Sequence, residues 1–430
     1  MLTQIIKLKL HWQILIALVI AVIAGSLGDM ETSLFGVALY DVYDFLGTLF
    51  LNALKMLIVP LIASSIIVGM AGASQSDAFG RLGVKTLLYY VTTSLLAIMT
   101  GLIMVDLFAP GIIDGVPAKD IIGLSANTDV LLAKTEGRGA ADIAQIFLRM
   151  VPTNIVSAAA SGQLLGLIFF CLLFGFFITK VHDRYTRVMV DFWQGIFEVM
   201  MRITNWVMKF APIGVFALVA KVVTSTGLAA FEPLAWFMAA VLSALGFHLL
   251  VTLPLLLRFV GGVNPLLHYR AMTPALLTAF STASSSATLP LTMDCVEKNA
   301  GVSNRTTSFV LPLGATVNMD GTALYECVAA MFIAQAYGLE LSFATQFTVV
   351  LVALLTSIGV AGIPAASLVA IVVILAAIGL PAEGIGLILA VDRVLDMVRT
   401  SVNVFSDSCG AVIIGRTEGE QGILARAATR

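Results

Sequence analysis

Asp392, Asp396, Arg399, Asn403 and Asp407 follow one another at intervals of 4, 3, 4 and 4 residues. That spacing sets three carboxylates, a guanidinium and an amide on one face of a helix, with Thr400 at the edge of the stripe. The surrounding chain is 59% hydrophobic and only 12% charged. An ionisable side chain at bilayer depth costs roughly 2.5 to 3.5 kcal/mol on insertion scales, so such a cluster must face a wet cavity, an ion, a charged substrate or its own members. Arg399 is the group of the stripe that can grip a carboxylate bidentately in a low-dielectric site. Asp396, one turn away, can pair with a substrate ammonium or with Arg399 itself, and in the second case the pair only braces the helices. Two more carboxylates flank the pair, and a single guanidinium cannot neutralise all of them, which favours an incoming partner.

Three further groups carry chemistry. Ser284, Ser285 and Ser286 offer hydroxyls and, at a helix end, free amide N–H groups that suit a carboxylate; the alternative is a small-residue packing surface between helices. Asn318-Met319-Asp320-Gly321-Thr322 sets an amide, a carboxylate and a hydroxyl around a glycine that can open a helix. Hard oxygen ligands and freed carbonyls of this kind suit Na+ rather than a transition metal, and Asn403 with Asp407 supplies the same chemistry. Tyr90, Thr93 and Ser94, at helical spacing, can add oxygens, although alone they are ordinary helix residues. Glu326, one turn past Thr322 in an apolar helix, is either a proton carrier or a permanently neutral, hydrogen-bonded group.

The elements that hold these groups follow from hydropathy. A mean hydropathy of +1.00 over 430 residues is that of a polytopic membrane protein. Apolar runs predict spans near 10–29, 42–73, 82–108, 148–180, 190–220 and 231–258. Lys7 and Lys9 precede the first run with no small-residue cleavage site, which reads as a first membrane helix rather than a signal peptide. Lys7/Lys9, Arg81/Lys85 and Lys180/Arg184/Arg187 fall on one side of alternating helices, which makes the N-terminus cytoplasmic. The polar, Gly- and Ala-rich segment from Asp114 to Gly139 falls on the other side, as an external loop. A net charge of −2 carries no nucleic-acid signal. Cys171, Cys295, Cys327 and Cys409 lack metal-ligand spacing and read as buried thiols; His11, His182, His248 and His268 read as helix-end or packing residues.

Beyond residue 258 the pattern changes. Residues 262–296, with Pro265, Pro274, Pro290 and many hydroxyls, and residues 345–378, with Ser357 to Ser367 at the tip, each read as two short flanks around a helix-breaking turn. Both predict re-entrant hairpins, and each is followed by a helix that polar residues interrupt: 318–322 after the first, 392–407 after the second. Repeated broken segments point to a transporter's binding site near the midplane.

At these residues the chain resembles the dicarboxylate/amino acid:cation symporter family, the glutamate transporters. The specific parts are Ser284-Ser285-Ser286-Ala287-Thr288-Leu289-Pro290, Asn318 through Glu326, and Asp396 through Asp407, and the likeness covers essentially the full length. It implies an all-α polytopic fold of eight transmembrane helices and two re-entrant helical hairpins, with inverted repeats and elevator-type alternating access, in a homotrimer. Residues 1–75 and 148–225 would form the scaffold, 111–147 the external loop, and 76–110 with 226–430 the mobile transport domain. The implied location is the cytoplasmic membrane of a prokaryote, with both termini cytoplasmic.

The resemblance also implies roles. Arg399 and Thr322 would hold the substrate side-chain carboxylate, Asp396 and Thr400 the amino group, and Asn403 with Ser284, Ser285 and Ser286 the α-carboxylate, closed over by Val360, Ala361, Gly362 and Ile363. Na+ would use Asn318, Asn403 and Asp407 at one site, and Tyr90, Thr93, Ser94, Asn318 and Asp320 at a second. A third would use Met319 with carbonyls of Ser357 and Ile358. Glu326 would carry the proton, and no organic cofactor is implied. Arg399 favours an acidic side chain over neutral amino acids, and Asp396 favours an amino acid over a C4-dicarboxylate. Three positions depart from the family pattern: Ala283 and Met397 stand where relatives carry an extra Arg, and Ser406 stands for the usual Gly. The expected activity is import of L-glutamate or L-aspartate with Na+ and a proton. The rivals are a proton-only acidic amino-acid symporter and a C4-dicarboxylate symporter. A passive channel suits the Arg–Asp site less well, and an intramembrane enzyme lacks a His or Lys base near the serines.

Overall fold

The structure is a computed structural model that describes residues 10–34, 36–74, 81–119, 121–122, 148, 150–161, 164–357, 366–381 and 385–424. The chain is mostly helical. In order come α1 (Leu10–Leu27), α2 (Leu39–Ser74), α3 (Arg81–Phe108), α4 (Ile155–Ala160), α5 (Leu164–Ile178), α6 (Asp183–Met208), α7 (Ala211–Thr226) and α8 (Phe231–Phe247). Then follow α9 (Leu253–Phe259), α10 (Pro265–Thr282), α11 (Ser285–Asp294), α12 (Asn304–Val317), α13 (Asp320–Ala336), α14 (Phe343–Ser357), α15 (Ala366–Ile378) and α16 (Ile385–Thr417). Two short antiparallel ribbons, Ser33–Leu34 with Val37–Ala38 and Ile112–Ile113 with Val116–Pro117, turn the chain between helices.

Among the described residues, four helical stretches are long and apolar enough to cross a membrane: Leu39–Ala71, Arg81–Phe108, Ala211–Ala229 and Phe231–Phe259. The last contains α8, a π-helical turn (His248–Thr252) and α9. Pro254 follows that turn and has no N–H to donate, so the wider turn keeps the helix continuous across it. Tyr269 donates its hydroxyl proton to the Leu249 carbonyl within the turn.

Two expected spans divide. The run predicted at 190–220 is cut at Lys209 and Phe210: α6 carries Asp183, Arg184, Arg187, Asp191 and Glu198, and α7 starts afresh with Pro212 in its first turn. The run predicted at 148–180 becomes α4 and α5.

Residues α1, α2, α5, α6 and α7 pack on one another, with Lys221 of α7 bonded to Asp44 of α2 at 2.7 Å. α16 packs against α8, α10, α12 and α13, and α13 packs against α3 and α8. Every residue of α13 except Gln335 is buried, which is why that helix is apolar all round apart from its functional residues. A large core joins α13–α15 to the N-terminal helices, and a smaller one gathers α9–α12 around Phe405 and Cys409 of α16. All four cysteines are free and buried.

The first predicted hairpin is a helix–turn–helix of α10 and α11 that turns at Ala283 and Ser284. Pro274 and Pro290 sit inside these helices without ending them. The flanks of the second are α14 and α15, which pack together; its tip, with Ile358, Val360, Ala361, Gly362 and Ile363, lies outside the described residues.

The interruption between α12 and α13 lies at Asn318 and Met319, with Gly321 already inside α13. A Cβ on Gly321 would come 2.8 Å from the Arg399 carbonyl oxygen, so its role is to let α13 press on α16 rather than to open the helix. The second broken helix is a correction: α16 runs unbroken for 33 residues. Its carboxylates, amide and hydroxyls bond to one another and to neighbouring helices through their side chains, and the backbone ladder stays unbroken.

Candidate functional site

α16 presents its polar face to the start of α13, to the α10–α11 turn and to α3. Arg399 is almost wholly buried, and its Nη2 donates to Asp392 Oδ1 at 2.9 Å and to Asp396 Oδ1 at 3.1 Å. Arg393 Nη1 reaches the other oxygen of Asp396 at 3.2 Å, so two carboxylates meet two guanidiniums. The Arg399 guanidinium carbon lies 3.9 Å from the centre of the Tyr325 ring, a cation–π contact across one face. Arg399 Nε and Nη1 have no hydrogen-bond partner among the described residues.

A cavity of about 270 Å³ adjoins this cluster. Thr282, Ala283, Ser284, Ser285, Met319, Thr322, Asp392, Arg393, Asp396, Thr400 and Asn403 line it, together with Ser367 beyond the second tip. It is closed on the far side by Ile14, Phe50, Met208, Ala211 and Val215 of α1, α2, α6 and α7. Arg399 is not part of the wall and lies behind Asp392 and Asp396. Ser286 is exposed and lies outside the lining. Ser284 caps α11 by accepting the Ala287 N–H at 3.2 Å, and Ser285 is the first, buried residue of that helix. Ala283 adopts the left-handed conformation at φ 48°, which lets the chain reverse between α10 and α11.

Asn403 links this half of the site to the next. Its side-chain oxygen accepts the Gly321 N–H at 2.8 Å, and its amide donates to Thr322 Oγ1 at 3.1 Å. Deeper, Ser94 donates to Asp320 Oδ1 at 2.8 Å, and Thr93 and Ser94 lie 3.3 and 3.4 Å from Asn318 Oδ1. Asn318 Nδ2 donates to Asp407 Oδ1 at 3.0 Å. Tyr90 donates to the Val310 carbonyl at 2.6 Å. A Cβ on Gly314 would lie 2.5 Å from Asp407 Oδ1 and 2.6 Å from the Tyr90 oxygen, so only glycine leaves room for these two oxygens. All five residues predicted for the second cation site therefore converge, with Asp407 alongside. Met319 and Ser357 are both buried, and Met319 faces the cavity. Glu326 is wholly buried; one carboxylate oxygen accepts the Thr356 hydroxyl at 2.9 Å and the other has no partner among the described residues.

For three residues here the sequence reading gave no partner. Asp392, left without a role, is a direct partner of Arg399; its i, i+7 spacing, two turns on one face, was the available signal. His248, read as packing, lies with Nε2 3.1 Å from Asp320 Oδ2. Ser406 donates to that same oxygen at 2.6 Å. His268 conforms better to a packing role, stacked near Phe405 and bonded to Ser408 at 2.9 Å, and His182 caps α6.

Comparison with known proteins gives one consistent picture. A model of the sodium:dicarboxylate symporter family matches residues 10–417. The chain is similar to the proton/glutamate-aspartate symporter of Escherichia coli (strain K12), 35% identical over 416 residues that cover 96% of this chain and 94% of that protein. It is 36% identical over 414 residues to the proton/sodium-glutamate symport protein of Bacillus subtilis (strain 168), covering 96% and 94%. Against excitatory amino acid transporter 3 of Homo sapiens the identity is 36% over 451 residues, covering 95% and 86%.

Proposed function

The chain belongs to the sodium:dicarboxylate symporter family, and within it we propose that this protein is a secondary active importer of L-glutamate and L-aspartate, coupled to Na+ and to a proton. The observation that carries the reading is Arg399: a buried guanidinium, two of whose nitrogens lack partners among the described residues, beside a cavity of about 270 Å³ lined by Asp396, Thr400, Asn403, Thr322 and the Ser284–Ser285 turn. An acidic amino acid brings two carboxylates and an ammonium, and this wall offers cationic, hydroxyl, amide and anionic groups to match them. Relatives at similar identity are named as symporters of glutamate and aspartate, which agrees with that chemistry.

In the proposed cycle, Arg399 takes the side-chain carboxylate by giving up part of its contact with Asp396, which turns to the ammonium. Thr400 assists Asp396, while Asn403 and the α11 start hold the α-carboxylate. Na+ is carried among Asn318, Asn403 and Asp407, at the oxygens of Tyr90, Thr93, Ser94, Asn318 and Asp320, and at a third site by Met319 and Ser357. Glu326 carries the proton. The protein acts as a homotrimer in the cytoplasmic membrane of a prokaryote, with both termini on the cytoplasmic side. α3 and the region from α8 to α16 move as the transport domain against α1, α2 and α4–α7, and the two hairpins gate the cavity.

A proton-only cycle is the second reading, and one observation favours it: Asp320 already has protein partners for both oxygens, with Ser94 and Ser406 donating to it and His248 Nε2 lying at 3.1 Å. Uptake into proteoliposomes separates the two. Glutamate accumulation that rises with an inward Na+ gradient is expected; accumulation unchanged when Na+ is removed would establish the proton-only cycle instead.

A further inference from the structure

We propose that the Ser406 hydroxyl is a positioning group that joins the candidate cation carboxylates Asp320 and Asp407 into one hydrogen-bonded unit, so that filling one cation site raises the affinity of the other. The inference rests on the cation reading given above. Ser406 is wholly buried on α16 and precedes Asp407. Its Oγ donates to Asp320 Oδ2 at 2.6 Å and accepts from Asn318 Nδ2 at 3.0 Å. The same Asn318 nitrogen donates to Asp407 Oδ1 at 3.0 Å. The path Asp320–Ser406–Asn318–Asp407 thus crosses from α13 to α16 and back through the break between α12 and α13.

The direction of each bond matters. A hydroxyl has one proton, and Ser406 spends it on Asp320, so toward Asn318 it can only accept. That fixes the amide with its nitrogen toward Ser406 and Asp407 and its oxygen toward Thr93 and Ser94, at 3.3 and 3.4 Å. One side of the unit then presents the oxygens of Asn318, Asp320, Thr93 and Ser94, which suit a hard cation. The other side holds Asp407 in place through the amide nitrogen. His248, from the π turn of the neighbouring helix, reaches Asp320 Oδ2 at 3.1 Å and fixes the carboxylate from behind. A cation that draws on Asn318 Oδ1 at the first side stiffens the amide that positions Asp407 at the second, and linkage makes the effect mutual. With glycine at 406 the amide loses this constraint and can offer its oxygen to either side.

The test is calorimetric titration of Na+ into the purified full-length protein, wild type against Ser406→Ala and Ser406→Gly, without amino acid. Wild type is expected to bind with a Hill coefficient above one. Both variants should fall toward one, with half-saturating Na+ raised about three- to tenfold, the range for one net hydrogen bond. Glutamate affinity at saturating Na+ should change by less than about twofold, which separates lost positioning from general damage to the site. A thermal melt of each variant guards against one that fails to fold, and Ser406→Ala is the milder of the two, since glycine inside a helix is destabilising relative to alanine. A wild-type Hill coefficient retained in a folded variant overturns the inference. A wild-type coefficient of one also overturns it while leaving Na+ coupling intact, and a wild type that binds no Na+ overturns both this inference and the Na+ cycle beneath it.

Discussion

Arg399 Nη2 donates to Asp392 Oδ1 at 2.9 Å across two turns of α16, so the guanidinium is half engaged before any ligand arrives. The same nitrogen reaches Asp396 at 3.1 Å, while Nε and Nη1 have no partner among the described residues. The two carboxylates have different surroundings. Asp392 is nearly buried, whereas the Asp396 side chain is 31% exposed and is shared with Arg393. Asp392 is thus the more enclosed partner that orients Arg399, and in the proposed cycle Asp396 is the one that turns toward the substrate ammonium.

Removing the cation of this pair should change what is transported. Arg399→Cys is expected to lower glutamate and aspartate uptake at least a hundredfold, since a charge-assisted bidentate contact contributes about 3 kcal/mol. Uptake of serine or alanine by the variant is the companion measurement. Glutamate uptake equal to wild type would remove Arg399 from the site.

Asp392→Asn removes the more enclosed partner and leaves Arg399 with a single, partly exposed carboxylate. Breaking a buried pair costs about 3 kcal/mol, so the detergent-solubilised variant should melt earlier than wild type and take up less glutamate. An unchanged melting temperature would show that Asp396 alone suffices.

Glu326 is wholly buried, with one oxygen accepting the Thr356 hydroxyl and the other without a partner among the described residues. Glu326→Gln keeps the shape and the Thr356 contact while removing the titratable group. Net uptake by the variant should lose its dependence on external pH, with homoexchange of glutamate preserved. A pH dependence that survives the substitution would assign the proton to another residue.

Near the cytoplasmic end proposed for α16, Glu420 accepts the Ser303 N–H at 2.8 Å, the Ser303 hydroxyl at 2.6 Å and the Thr306 hydroxyl at 2.5 Å. Partial burial pushes this carboxyl up, but those hydrogen bonds outweigh it and leave Glu420 below the usual glutamate value of 4.5. A depressed carboxylate contributes stability above its unfolded value and loses it as pH falls through the folded one. Glu420→Gln should therefore lower stability by about 1 kcal/mol at neutral pH, and the gap from wild type should narrow below pH 4.5. Thermal melts at pH 7 and pH 4 check both parts.

What could be read from the sequence was whatever leaves a periodic mark on an apolar background. The five polar positions of α16 and the Asn318–Asp320 group stood out because each charge in such a chain needs a reason, and both clusters converge. The α10–α11 turn was legible in the serine run that caps α11. A dense polar face was misread as a break in α16, because composition alone does not tell whether side chains satisfy one another or the backbone must open. The contacts of His248 and Ser406 were hidden for a different reason: His248 read as packing and Ser406 only as a departure from the family pattern, because each has its partner, Asp320, 72 or 86 positions away, and no local pattern records that distance.

The continuity of α16 has a mechanical consequence. From Asp392 to Asp407 is 15 residues, roughly 22 Å of rod at 1.5 Å per residue, with no hinge along it. In the proposed cycle, any rigid displacement of that rod moves its amino-acid end and its metal-ion end together. Stiffness would then rule out a cycle in which one of the two sites crosses while the other stays behind.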